Sequence, residues 1–460
     1  MTFNPEFRRN LWIELRLHRL IAMPAIVALV AALLISLDSS LGILRSSALA
    51  AFYGVVFLWG GRCAASAIAG EVNGRTWELQ RMTALGAWSM AWGKLFGCTA
   101  FIWYGGLMIL ALFGYASVAR REMPLEGALY FAGMEIAAGI LVQAVALSIS
   151  LILLSKKPRS ETLPVTFSQL IGLAAVLVMA WRPEFGLVLV PRWEAFGAAS
   201  WYGFAIQLHH FAFASVAVFA AWAVFGVYRL MRAELQFEGA PWGWPLFTLF
   251  VIAYLFGFLK GGEMFGVKSG LVVGFFVALA AAYISVFADH NGPLRYRAIF
   301  AALEAGRPRL ALRRLPRWLP SVLLLAIFAG GAMTAADFDL FALGPLQLRV
   351  LEPEIGRLSR LWVAAAVLFA LRDIGFVLLL NAWGHRRPDL TAFVYLVVLY
   401  GPAVWLLQLV APQFAGLLVA LPVQISALSP VSAAVQAAIL FFLLLQAWRR
   451  PQAPGLDRKA

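Results

Sequence analysis

The sequence predicts an all-α polytopic membrane protein of about twelve transmembrane helices, built as two tandem six-helix repeats. Three observations carry that prediction. Hydrophobic residues make up 62% of the 460 positions and charged residues only 13%, far less charge than a soluble chain of this length exposes. Twelve apolar runs each reach, or nearly reach, the roughly twenty residues a spanning helix needs. The pattern acid, any residue, Asn, Gly occurs at Glu71–Gly74 and returns 218 positions later at Asp289–Gly292, each time after a spanning run. A repeat distance near half the chain indicates two copies of one half-molecule, here 1–232 and 233–460.

Residues 5–18 place Phe7, Leu11 and Leu15 on one line with Arg8, Arg9 and Arg16 off it, the pattern of a helix lying in the membrane interface. Apolar runs then fall at 19–37, 48–69, 95–117, 128–154, 163–180 and 205–228. A second set falls at 245–260, 268–288, 319–334, 361–381, 391–410 and 432–448. The first run continues into a full span without a small-residue cleavage site, so a cleavable signal is not expected. Further landmarks align the halves: Lys157-Pro158 with Arg387-Pro388, and Pro191 with Pro422. The segments at 181–203 and 411–431 are too apolar for ordinary loops, and the second is too broken by proline for a span. Re-entrant or interfacial helices on the outer side are expected there.

The formal net charge is +14, but the basic residues sit in short clusters between apolar runs, so nucleic-acid binding is not expected. With twelve spans, 25 of the 37 Lys and Arg fall in segments on the side of the N-terminus and 10 in the opposite loops. That bias places both termini in the cytoplasm.

Catalytic chemistry finds little support. No His pair has metal-ligand spacing, and Cys63 and Cys98 offer neither a zinc site nor a disulfide framework. Gly86 to Lys94 has some likeness to a phosphate loop but fails on spacing and on Leu95 where Ser or Thr is required. Catalytic, cofactor and metal residues are therefore expected to be absent. Ionisable groups within spans are few: Arg62, Glu135, Arg372 and Asp373. Adjacent in a helix, Arg372 and Asp373 point to different faces and are not expected to pair with each other. Asp373 falls opposite Gln143 of the first half, which marks a polar seam between helices and a possible translocation path. After Gly74 the chain reads as an amphipathic cytoplasmic helix, with Trp77, Arg81 and Leu85 on one line and Leu79, Met82 and Thr83 on another. Gly74 is expected to supply an unusual backbone angle at the turn before it.

Glu71, Gly74, Arg75, Thr76, Leu79 and Thr83, followed by Gly93-Lys94, resemble the signature of type-2 ABC exporter permeases. Residues 5–232 are similar to that family's half-transporter throughout: an interfacial helix, six spans, a coupling helix between the second and third, and outer re-entrant helices before the sixth. The resemblance implies that 71–88, including Asn73, is gripped by an ATP-hydrolysing partner. Two copies of an ATP-binding ABC subunit would then carry ATP and Mg, with no cofactor in this chain, at a bacterial cytoplasmic (inner) membrane. The second half departs from the pattern. Asp289, Asn291 and Gly292 keep the turn, but Pro293-Leu294-Arg295-Tyr296-Arg297 replaces Arg-Thr-Trp-Glu-Leu, and the loop 289–318 carries seven arginines. It reads as a second coupling surface, a degenerate one, or a docking patch for lipid headgroups. Two other readings stand beside the exporter subunit. One is an ion-coupled secondary transporter. The other is a membrane-embedded transferase acting on lipid-linked substrates, with Asp337, Asp339, Glu352 and Glu354 in the loop 335–360 as its candidate cluster.

Overall fold

A computed structural model describes residues 4–155, 162–180, 198–237, 239, 241–259, 267–289, 291–335, 338–339, 357–385, 387–420 and 427–449. Among the sequence landmarks, Lys157, Pro158, Pro191, the segment around Trp193, His290, Asp337, Glu352, Glu354 and Pro422 lie outside these residues. The chain forms two compact units, 1–199 with 205–238, and 200–204 with 239–460.

Each of the twelve apolar runs falls mainly on helix over its described residues, and 205–207 belong to a short strand. In the first unit α1 (Pro5–Glu14) is followed by α2 (Leu17–Leu37), α3 (Gly42–Asn73), two short helices α4 (Trp77–Arg81) and α5 (Ala87–Trp92), then α6 (Ala100–Ala119), α7 (Leu125–Ser155), α8 (Thr162–Ala180) and α9 (Leu208–Glu234). The second unit holds α10 (Gly243–Leu259), α11 (Val267–Ala288), α12 (Pro293–Glu304), α13 (Pro308–Arg314), α14 (Trp318–Thr334), α15 (Arg360–Ala382), α16 (Pro388–Val410) and α17 (Leu428–Arg449). The first unit passes the expected boundary at 232 because α9 continues to Glu234.

Nine of these helices, among the described residues, are long and apolar enough to cross a membrane, or ten if α13 and α14 count as one bent span. The remaining apolar helices are short. At about 1.5 Å per residue, α10 covers roughly 25 Å of a hydrocarbon core near 30 Å thick. Length alone therefore supports fewer than the twelve spans expected.

Within the first unit, α7 lies along α9, and α3 packs between α6 and α7. Phe52, Val56 and Phe57 of α3 meet Ile102, Ile109 and Phe113 of α6 and Phe131 of α7 in the larger of its cores. α2 is peripheral and almost wholly exposed, as expected of a helix facing lipid. In the second unit α15 lies along α17 and α11 along α14. Its core joins Val272, Phe275 and Ala278 to Leu325, Ala329, Val363, Ile374 and Leu444.

Three π-helical turns occur among the described residues: Tyr53–Trp59 in α3, Gly93–Gly97 directly after α5, and Leu399–Ala403 in α16. The last includes Pro402, which has no N–H to donate and clashes with the preceding turn. Such turns release backbone carbonyls and re-aim side chains, and each of these three lies at a buried polar contact described below.

Candidate functional site

The turn after α3 is built as the sequence suggests in outline but not in detail. Gly74 donates to the Gly70 carbonyl at 2.9 Å and Thr76 to that of Glu71 at 2.9 Å, which closes the helix end. Gly74 itself has ordinary helical angles, φ −70° and ψ −1°, and the left-handed residue is Arg75 at φ 56°. The expectation that Gly74 supplies the unusual angle is thus corrected. The reversal falls one residue later, at a cost of about 1 kcal/mol for a residue with a Cβ.

The stretch 71–88 is not one amphipathic helix. It consists of the last turn of α3, the five-residue α4, and the start of α5 after a non-helical break at 82–86. Its two faces nevertheless separate. Trp77 is buried and its indole donates to Glu234 of α9 at 3.5 Å, while Arg81 pairs with Glu78 at 3.2 Å and lies 4.0 Å from Glu234. Asn73, Gly74, Arg75, Thr76, Leu79, Met82 and Thr83 are exposed, Leu79 by 64% and Met82 by 78%. Two large apolar side chains therefore project from a knuckle anchored on the sixth apolar helix of its unit.

Glu71 points the other way. Its carboxylate accepts from Arg9 at 2.8 Å and from Gln80 at 2.5 Å, and it contacts the ammonium of Lys94. Lys94 is fully buried and also lies 3.0 Å from Glu6. Glu6 in turn accepts from Arg9 at 2.9 Å and from Asn10 at 3.1 Å. Two carboxylates and two cations thus neutralise each other where α1, the end of α3 and the π turn at 93–97 meet. Two glycines permit that approach. A Cβ on Gly93 would sit 2.5 Å from Glu6 Cγ and 2.9 Å from the Phe7 nitrogen, and one on Gly97 would sit 2.7 Å from Asn10 Cβ. α1 therefore docks through its polar residues Glu6 and Asn10 and turns Trp12 and Ile13 outward, as an interfacial helix should. Asn4 caps it, accepting from the Glu6 and Phe7 amides and donating to the Ser89 carbonyl at 2.7 Å.

The second turn keeps the pattern and inverts its use. Asp289 is buried and accepts the Arg317 amide at 2.6 Å and the Arg295 guanidinium at 3.1 Å. Asn291, also buried, donates to the Val286 carbonyl at 2.7 Å and accepts from the Tyr296 hydroxyl at 3.1 Å. That hydroxyl accepts the Trp318 indole N–H at 2.9 Å, and the Tyr296 ring stacks on Trp448 with centroids 4.3 Å apart. Burial pushes the Tyr296 phenol above its ordinary range. Gly292 is extended, φ −64° and ψ 145°, as the residue before a proline should be. In place of a knuckle, the chain continues as a helical hairpin, α12 and α13, reversed at Gly306 with φ 66°. Arg295 ties the hairpin shut by donating to the carbonyls of Arg314 and Leu315 at 3.0 and 2.9 Å.

The two buried polar positions lie one in each unit, Gln143 on α7 and Asp373 on α15. Gln143 accepts from Trp103 at 2.9 Å and donates to the Val56 carbonyl in the first π turn at 3.2 Å. It thereby links three helices. The same π turn brings Tyr53 to Glu135, which is fully buried, at 3.1 Å.

Asp373 corrects one expectation. Arg372 does pair with it, through Nε at 2.8 Å and Nη2 at 2.7 Å. The Arg372 guanidinium lies over the Phe369 ring, its carbon 4.7 Å from the centroid, and the long side chain so overcomes the roughly 100° between neighbouring positions. The other Asp373 oxygen accepts the hydroxyls of Tyr283 and Tyr400, both at 2.7 Å. Tyr400 stands on the third π turn. Arg372 also donates to the Leu418 carbonyl at 2.5 Å and to Gln436 at 3.0 Å, fastening the chain after α16 to α15 and α17. Nothing in the sequence signals this cluster beyond the bare presence of the charged pair.

Among the described residues no group of three or more His, Cys, Asp or Glu side chains is placed to hold a metal ion. Comparison with family models, with curated proteins and with solved structures returned no match. What the helices define by themselves is the class, a multi-pass helical membrane protein.

Proposed function

We propose that the chain is the membrane-spanning permease subunit of an ABC exporter, forming the translocation path and coupling to separate ATP-hydrolysing subunits. The observation that carries the reading is the knuckle at 73–83. It presents Leu79 and Met82 to solvent from the end of a spanning helix, braced by Glu234 on α9 and, through Glu71 and Lys94, by α1. A partner that grips those two side chains has leverage on three helices at once. The repeat is supported by shared helix pairs, since the fourth and sixth apolar helices lie together in both units, as do the second and third.

In this reading the chain sits in a bacterial cytoplasmic membrane with both termini inside and binds two copies of the ATPase, which carry ATP and Mg. Cargo is amphipathic or lipid-like. Favouring that class is an apolar groove of about 620 Å³ between α7 and α9, walled by Trp92, Phe96, Phe213 and Phe225.

The test is purification from native membranes in mild detergent, with the intact complex weighed. Two ATPase subunits per chain are expected. Absence of an ATPase from several detergents overturns the reading. The cluster of buried Arg372 and Asp373 with Tyr283 and Tyr400 favours a second one, an ion-coupled secondary transporter. Asp373→Asn that abolishes transport in a folded protein, with no ATPase bound, brings that reading forward.

A further inference from the structure

We propose that the α12–α13 hairpin of the second unit is a binding site for the anionic headgroups of membrane lipids, gripped by Arg307 and Arg309. Only the choice of leaflet rests on the reading of this face as cytoplasmic; the site does not.

Orientation comes first. α13 is bent by 88° from α14. With α14 running across the bilayer, α13 lies in its plane, at the depth where headgroups are found. Charge comes second. The loop 289–318 holds seven arginines against two acids, Asp289 and Glu304. Asp289 is already engaged by Arg295 and Arg317, and Arg297 donates to the Trp448 carbonyl at 3.2 Å. Arg307 and Arg309 instead stand exposed and, together with Arg313, line an open concavity of about 450 Å³ beside Gly306 and Pro308. A guanidinium offers two parallel N–H donors, which match two oxygens of one phosphate.

The third observation separates a lipid from a soluble anion. Leu294, Phe300, Leu303 and Leu312 of the same hairpin are exposed by 69, 45, 52 and 47%. Apolar side chains beside arginines on a hairpin whose second helix lies along the membrane plane have somewhere to go only if acyl chains lie under the headgroups. An anionic lipid satisfies both halves of the surface, and it is present at this depth without recruitment.

The test uses the purified full chain in detergent, titrated with dioleoylphosphatidylglycerol or dioleoylphosphatidylcholine and read by native mass spectrometry. Wild type should take up phosphatidylglycerol at the lower concentration, and rising ammonium acetate should weaken that uptake but leave phosphatidylcholine unchanged. R307Q/R309Q should raise the phosphatidylglycerol midpoint by roughly twenty-five-fold, since one basic residue near an anionic surface is worth about fivefold. R307K/R309K should retain most of the binding. Unchanged phosphatidylglycerol uptake in a folded R307Q/R309Q protein, or uptake by wild type that ignores salt, overturns the proposal. Loss of a co-purifying ATPase with lipid uptake intact also overturns it and assigns the hairpin to protein docking. Because the titration needs no ATPase, its failure is distinct from failure of the exporter reading.

Discussion

The two turns that share acid–x–Asn–Gly make the most instructive contrast in the molecule. At 71–74 only the acid is engaged, in an ion cluster with Arg9 and Lys94, and Asn73 faces solvent. At 289–292 acid and amide are both buried, holding Arg317, Tyr296 and Val286. The difference arises from the residue just after each glycine. Arg75 in the left-handed region throws the chain outward into a knuckle, whereas Pro293 starts a helix at once and pulls the turn under it. A four-residue pattern specifies that a helix ends; its neighbours decide which side chains become surface. The first turn thus exposes Leu79 and Met82 on a short knuckle, and the second leads into a hairpin that exposes arginines beside apolar side chains.

The sharpest way to break this contrast is at Lys94. Lys94→Met leaves Glu6 and Glu71 sharing Arg9 alone, with one carboxylate charge uncompensated in a largely buried site, and should cost about 3 kcal/mol, with much of the loss recovered in the Lys94→Met/Glu71→Gln double variant. Thermal unfolding in detergent measures both. In the second turn Arg295→Gln should cost much less, because Asp289 keeps the Arg317 amide. Equal losses at the two turns would mean that the ion cluster does not hold α1 in place.

Glycines sharpen the comparison further. Gly93→Ala drives a Cβ into Glu6 and the backbone of Phe7, and should destabilise the docking of α1 by about 1–3 kcal/mol. Gly74→Ala meets nothing nearer than the Gly70 carbonyl at 3.2 Å and needs no special angle, so its effect on stability should stay within about 0.5 kcal/mol. Limited proteolysis within α1 reads the first and a melting curve the second. If Gly74→Ala uncouples ATP hydrolysis from export while melting like wild type, the knuckle acts through its surface rather than its fold. Wild-type-like export would remove that role.

Asn291→Ala and Asn73→Ala extend the same logic at smaller scale. The first strands the Tyr296 hydroxyl network and should cost about 1–3 kcal/mol; the second removes an exposed amide and should cost little. Similar melting shifts for the two would contradict the opposite burial of the turns.

The apolar runs located the helices, nine or ten of them of spanning length among the described residues, because hydropathy over some twenty residues is a strong, local signal. The opposite faces of Trp77–Arg81–Leu85 and Leu79–Met82–Thr83 were legible for the same reason, even though the continuous helix that suggested them is broken. The ion cluster was not legible. Glu6 and Lys94 lie far apart in the chain, and nothing local to either says that they meet. Gly93 and Gly97, one helical turn apart beside a lysine, were the available clue, since small residues at that spacing admit a neighbouring helix. The pairing of Arg372 with Asp373 was hidden by a geometric rule that treats side chains as rigid spokes. A long side chain whose guanidinium lies over Phe369 does not obey it. π turns have no sequence signature of this kind either, and all three sit where a buried polar contact needed a released carbonyl or a redirected ring.

The smallest expected effect concerns a third acid at a helix boundary, Asp38, between α2 and α3. Its carboxylate accepts the amides of Ser40, Gly42 and Ile43 at 2.9, 2.9 and 3.0 Å. The Ser40 side chain, then the Ile43 and Ser40 amides, hold its pKa down at about 2. A carboxyl depressed in the folded state contributes stability above its unfolded value near 3.9, and loses it as pH falls through the folded value. The stability gap between wild type and Asp38→Asn should therefore be constant from about pH 7 to 5 and should close between about pH 4 and 2. Unlike Glu71 and Asp289, Asp38 is held at the surface by the Ser40 side chain and backbone amides rather than by a cation, so the gap should respond little to salt. A gap that shrinks with added salt at neutral pH would place Asp38 with the ion-paired acids, and leave the amide-capped acid without an example among the three.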